Sequence, residues 1–123
     1  MYEIRVKRHF DAAHALRGYK GKCENTHGHR YEVVVCLEAD ELDETGLAFD
    51  FTQLKRLLDS VMNRFDHTYL NEIPPFDEEN PSSENIARFI YREMEGGIEG
   101  ARLRSVEVWE SPDAWVTYSP SMT

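Results

Sequence analysis

The chain predicts an α+β fold, a four-stranded antiparallel sheet with two helices inserted between its second and third strands. Three observations carry this: period-two alternation at both ends of the chain, two period-3.6 apolar stripes in the middle, and a closing hairpin in place of a further strand–helix unit. Residues 2 to 10 set Tyr2, Ile4 and Val6 on one face against Glu3, Arg5 and Lys7 on the other. That is the rhythm of a half-buried strand. Tyr31, Val33, Val35 and Leu37 repeat it. After Gly46, Asp50 is placed to cap a helix with Gln53 three residues on, and Leu54, Leu57, Leu58, Val61, Met62 and Phe65 form its apolar stripe. A second helix starts at Ser82 or Ser83 after Pro81, buries Ile86, Phe89, Ile90 and Met94, and stops at Gly96-Gly97. Residues 103–110 and 114–119 form the last two strands, turned at Ser111-Pro112-Asp113. No linker, repeat or phosphate-binding glycine loop interrupts the pattern, so residues 1–123 read as one domain.

With 123 residues, 41% hydrophobic and 30% charged, the composition is that of an ordinary globular chain. No apolar run approaches the roughly 18 residues of a membrane span, and the N-terminus lacks the apolar centre of a secretory signal. The expectation is a cytoplasmic protein with Cys23 and Cys36 reduced. A net charge of −9 argues against a nucleic-acid partner, because phosphate contacts require a basic face. The balance reverses locally between His14 and Arg30, where Arg17, Lys20, Lys22 and Arg30 stand against Glu24. Such a run suits a phosphorylated small molecule, and equally a solvated basic loop.

Three of the five histidines fall in His14 and the stretch Cys23-Glu24-Asn25-Thr26-His27-Gly28-His29. On an extended chain His27 and His29 point the same way across Gly28, so both imidazoles can grip one ion. A catalytic zinc takes three protein ligands and keeps a fourth position open, which makes His14, His27 and His29 the inferred set. A closed structural site with Cys23 as fourth ligand satisfies the same spacing. Two further places draw attention. Asp66-His67 follows the first helix, either as a carboxylate–imidazole pair available for proton transfer or as a surface C-cap. Glu110 shares strand parity with Val106 and Val108, so it needs a ligand or a basic partner unless the strand end frays into water.

In these motifs the chain resembles the superfamily of 6-pyruvoyltetrahydropterin and 6-carboxytetrahydropterin synthases over nearly its whole length. The resemblance rests on Phe10-Asp11-Ala12-Ala13-His14, Cys23-x3-His27-Gly28-His29, Asp50-Phe51, Asp66-His67-x2-Leu70-Asn71, Asn80-Pro81-Ser82-Ser83-Glu84-Asn85 and Glu110, in that order. It implies that His14, His27 and His29 hold Zn2+, that Cys23 is the catalytic base helped by Asp66 and His67, and that Glu110 anchors a pterin. Arg17, Lys20 and Lys22 would meet the triphosphate of 7,8-dihydroneopterin triphosphate. Lys20 stands three residues before Cys23, where a folate-pathway branch carries Glu, so the resemblance points to the cysteine-type enzymes. Among these it favours the 6-carboxytetrahydropterin synthase of queuosine synthesis over the pyruvoyl-forming enzyme. It also implies trimers that close a barrel of the tunnelling fold and pair into a homohexamer.

Overall fold

The computed structural model describes residues 1–18 and 25–120. Cys23, Lys20 and Lys22 therefore lie outside the described residues. Strand β1 spans Tyr2–His14 and β2 His27–Ala39. Helix α1 spans Phe51–Met62, β3 Thr68–Tyr69, α2 Ser83–Glu95, β4 Arg102–Ser111 and β5 Ala114–Tyr118. The sheet order is β3-β1-β2-β4-β5.

The sheet is thus five-stranded and mixed, where the sequence predicts four antiparallel strands. Four of them do pair antiparallel, β1 with β2, β2 with β4 and β4 with β5. The addition is β3, whose two residues run parallel to Ala12 and Ala13 of β1. Two residues are too few to carry a periodicity, so only the fold places them in a strand.

Alternation along β1 continues past residue 10, because Phe10, Ala12 and His14 keep the buried face of Ile4 and Val6. The β1–β2 hairpin runs in unbroken register from Tyr2↔Ala39 to His14↔His27. Its apolar face packs beneath the helices. Asp50 caps α1 by accepting from the Thr52 amide at 2.8 Å, and Ser82 caps α2 by accepting from the Asn85 amide at 3.1 Å. The first helix ends at Met62, yet Phe65 beyond it is fully buried and joins Phe76 and Phe89 in an aromatic cluster. Leu54, Leu58, Ile86, Ile90 and Met94 from the helices meet Tyr31, Val33, Val35, Leu37, Val106 and Val108 from the sheet. Each such side chain contributes about 1.5–3 kcal/mol by leaving water. Cys36 is a buried free thiol in this sheet. Among the described residues no helix is long and apolar enough to cross a membrane.

Candidate metal centre

Cross-strand partners share a face, so the register His14↔His27 and Ala12↔His29 brings the three histidines to one end of the hairpin, on the side covered by the helices. Their ring centroids lie 4.6 Å (His14–His27), 4.6 Å (His27–His29) and 5.3 Å (His14–His29) apart. His14 is almost wholly buried, one of two buried polar residues among those described.

The ring nitrogens are set by their outer contacts. His14 Nδ1 lies 2.7 Å from the Pro81 carbonyl, and His27 Nδ1 lies 2.7 Å from the Asn25 carbonyl. A carbonyl only accepts, so each Nδ1 carries a proton and each ring turns its Nε2 inward. These two Nε2 atoms stand 3.1 Å apart. Two lone pairs at that distance repel unless a proton or a metal ion lies between them. His29 Nε2 is buried without a hydrogen-bond partner, 3.1 Å from Glu110 Oε1 but not in hydrogen-bonding geometry. Burial pushes the His29 pKa below its ordinary value, against an upward pull from Glu110, which favours the neutral, ligand-competent ring. Glu110 Oε1 also lies 3.2 Å from His14 Nε2. One donor atom from each of these four residues falls within 4.8 Å of the others, a group that can hold a metal ion. Three imidazoles and one carboxylate suit a borderline divalent ion.

Glu110 reaches this centre because it sits two residues beyond Val108, which pairs with Val33, on the same face of β4. Its side chain stays 30% exposed, so it is neither a core residue nor a frayed end.

Asp66 and His67 assemble elsewhere. The Asp66 carboxylate accepts from the Asp11 amide at 3.0 Å, and the His67 amide donates to the Asp11 carbonyl at 2.6 Å, which clips both sides of one β1 residue before β3 begins. Asp66 Oδ1 lies 3.0 Å from His67 Nδ1. The hydrogen bond from Asp11 is the main cause of a lowered Asp66 pKa. His67 adopts φ +59°, a left-handed backbone that is costly for a residue with a Cβ, and its imidazole is 78% exposed. Among the described residues no hydrogen bond or ion pair joins this pair to the three-histidine group.

Arg17 is tied to a loop by its guanidinium. Its guanidinium donates to the carbonyls of Phe76 (2.7 Å), Asn71 (3.2 Å) and Glu79 (3.3 Å). Sequence reasoning missed this, and assigned no role to Asn71 or Asn80, although both lie in the quoted motifs. Asn71 pairs with the backbone of Ala15 and Asn80 with that of Arg17. The spacing of Ala15 and Arg17 held no trace of carboxamides more than fifty residues away.

A family model described as 6-pyruvoyl tetrahydropterin synthase matches residues 3–121. A protein of Archaeoglobus fulgidus, assigned provisionally as a 6-carboxy-5,6,7,8-tetrahydropterin synthase, is 39% identical over 91% of this chain and 90% of its own length. A dihydroneopterin monophosphate aldolase of Pyrococcus furiosus is 34% identical over 82% of each chain. The Caenorhabditis elegans 6-pyruvoyl tetrahydropterin synthase structure superposes with a TM-score of 0.83 over 98% of both chains, at 29% identity.

Proposed function

This chain belongs to the 6-pyruvoyl tetrahydropterin synthase family, and we propose that within it the protein is a zinc-dependent 6-carboxy-5,6,7,8-tetrahydropterin synthase. It would convert 7,8-dihydroneopterin triphosphate and water to 6-carboxytetrahydropterin, acetaldehyde and triphosphate, the pterin step of queuosine synthesis, as a cytoplasmic enzyme. The observation that carries the reading is the inward convergence of His14, His27 and His29 Nε2, with two of the rings locked by backbone carbonyls. These three residues would hold Zn2+. Bound there, the ion supplies Lewis acidity that lowers the pKa of side-chain hydroxyls.

The remaining roles fall to the protein. Cys23 acts as the base that moves protons on the substrate side chain, its thiolate favoured by Lys20 and Lys22 nearby in the sequence. Asp66 holds His67 through Nδ1, which leaves the exposed Nε2 to exchange a proton. Glu110, beside the three histidines, would leave the ion to them and turn its carboxylate to the N–H groups of the guanidine-like edge of the pterin. Lys20 and Lys22 meet the triphosphate. Arg17 contributes indirectly, by holding the loop through three bonds to its carbonyls. We place the assembly as a homohexamer of two trimers, in agreement with a sheet that ends in β3 on one side and β5 on the other.

The decisive experiment is anaerobic incubation of zinc-loaded protein with 7,8-dihydroneopterin triphosphate, read by mass spectrometry of the pterin and an acetaldehyde assay. A 6-carboxy product with acetaldehyde is expected. A 6-pyruvoyl product without acetaldehyde would replace this assignment with the activity for which the C. elegans structure is named. Cleavage of dihydroneopterin monophosphate alone would replace it with the reaction for which the Pyrococcus relative is named.

A further inference from the structure

We infer that Asn80, together with Asn71, is a positioning residue of the metal site that acts through Pro81 and His14. The inference rests on the reading that His14, His27 and His29 hold a metal.

His14 is the last residue of β1, so beyond it no sheet ladder satisfies or fixes the main chain. Two side-chain amides take the place of a neighbouring strand. Asn71 Oδ1 accepts from the Ala15 amide at 2.9 Å while its Nδ2 donates to the Ala15 carbonyl at 2.9 Å. Two residues on, Asn80 Oδ1 accepts from the Arg17 amide at 2.9 Å and its Nδ2 donates to the Arg17 carbonyl at 3.0 Å. Alternate residues of an extended segment offer both backbone groups to one edge, and a carboxamide presents the matching acceptor and donor. Aspartate would present two acceptors, and an aliphatic side chain neither group. Arg17 then reaches back to three carbonyls of the same loop, and Asn85 Nδ2 donates to the Asn80 carbonyl at 2.9 Å.

This clasp brackets the buried histidine from both sides. Ala15 follows His14 in the chain, and Pro81 follows Asn80. The Pro81 carbonyl is the acceptor, at 2.7 Å, that holds the His14 Nδ1 proton and aims Nε2 at the metal position. Where that carbonyl sits relative to the imidazole is therefore set by how the 71–82 loop is fastened to residues 15–17. The loop has a separate anchorage in the core, because Leu70 and Phe76 are fully buried. Losing one amide should leave the fold standing while the Pro81 carbonyl drifts.

The test titrates Zn2+ alone, in competition with a chromophoric chelator, into the full chain and into Asn80→Ala, Asn80→Asp, Asn71→Ala and Glu79→Ala, with thermal unfolding of each metal-free protein. Glu79→Ala is the control, since it breaks a half-exposed ion pair between the same loop and Arg88 of α2 and leaves the Asn71 and Asn80 side-chain bonds in place. The expected result is a loss of roughly 10–100-fold in zinc affinity for Asn80→Ala and Asn80→Asp, with a smaller loss for Asn71→Ala. Their metal-free Tm values should stay within a few degrees of the control. Asn80→Asp preserves shape and one of the two hydrogen bonds, so it keeps the test open if the alanine variant does not fold. Unchanged zinc affinity in the Asn80 variants, or a loss that merely tracks a lower metal-free Tm, overturns the inference while the metal reading stands. Failure of the unaltered chain to bind one Zn2+ saturably overturns the metal reading and the clasp with it.

Discussion

His67 and Asp66 show how a residue's cost and its role can be separated. His67 holds a left-handed backbone that a glycine adopts without penalty, and its exposed ion pair with Asp66 adds little to stability. His67→Gly should therefore leave the protein as stable or more so, by up to about 1 kcal/mol in thermal unfolding, while turnover falls at least tenfold. A stability loss instead would mean that the imidazole is structural. Asp66 makes a pH-dependent contribution whose sign follows from its depressed pKa. The folded state binds the proton less readily than the unfolded chain, so the contribution is complete above the unfolded value of about 3.9 and disappears as pH falls through the lower folded value. Asp66→Asn should lower Tm at pH 6, and the gap from the unaltered protein should close below pH 4. A gap constant with pH would show that the lost interaction is not ionic. At this scale the sequence reveals what depends on strand parity. His27, His29 and Glu110 were legible because alternate residues share a face. The partners of Asp66 and of His14 Nδ1 were not, since Asp11 and Pro81 arrive through tertiary folding.

Elements were legible in proportion to their length. Both helices and the four long strands announce themselves by period and by cap residues. The two-residue β3 does not, and the sequence stripe that carried α1 to Phe65 overshoots because a buried side chain in the following turn looks like one more helical position. The join after α2 adds a packing constraint that no propensity scale contains. A Cβ on Gly97 would stand 2.8 Å from Leu57 Cδ1 and 3.2 Å from its Cδ2, which brings the end of α2 against α1. Leu57 is only half-buried and its tip can rotate, so Gly97→Ala should cost about 1 kcal/mol, at the lower end of overpacking. In a Leu57→Ala background the same change should cost almost nothing. A double-mutant cycle by urea unfolding reads the coupling, and additive costs would locate the strain elsewhere.

For the whole molecule, the charges and the sheet edges frame the expected assembly. The face of the sheet away from the helices carries Lys7 paired with Glu32, Arg30 paired with Asp11, and the stacked indoles of Trp109 and Trp115, whose rings lie 3.9 Å apart. Trp115 is 51% exposed in the single chain. Edges of this kind are normally paired or covered, and pairing β5 of one copy with the far side of another would remove both at once. Native mass spectrometry at micromolar concentration should accordingly show six copies, with three as the dissociation product. A species at the 14.3 kDa of one chain alone would refute the assembly.

The unbroken register of the β1–β2 hairpin has a consequence for how such proteins diverge. His14 and His27 face each other because the strands pair, whatever the length of chain that connects them. Each doubling of a connecting loop adds only about 0.6 kcal/mol of closure entropy, whereas a single residue inserted within either strand would turn every ligand beyond it to the opposite face. Insertions and deletions among relatives should therefore collect between these two histidines and avoid the strands. A pattern written to recognise the site should fix the one-residue interval of His27 and His29 and let the interval before them float.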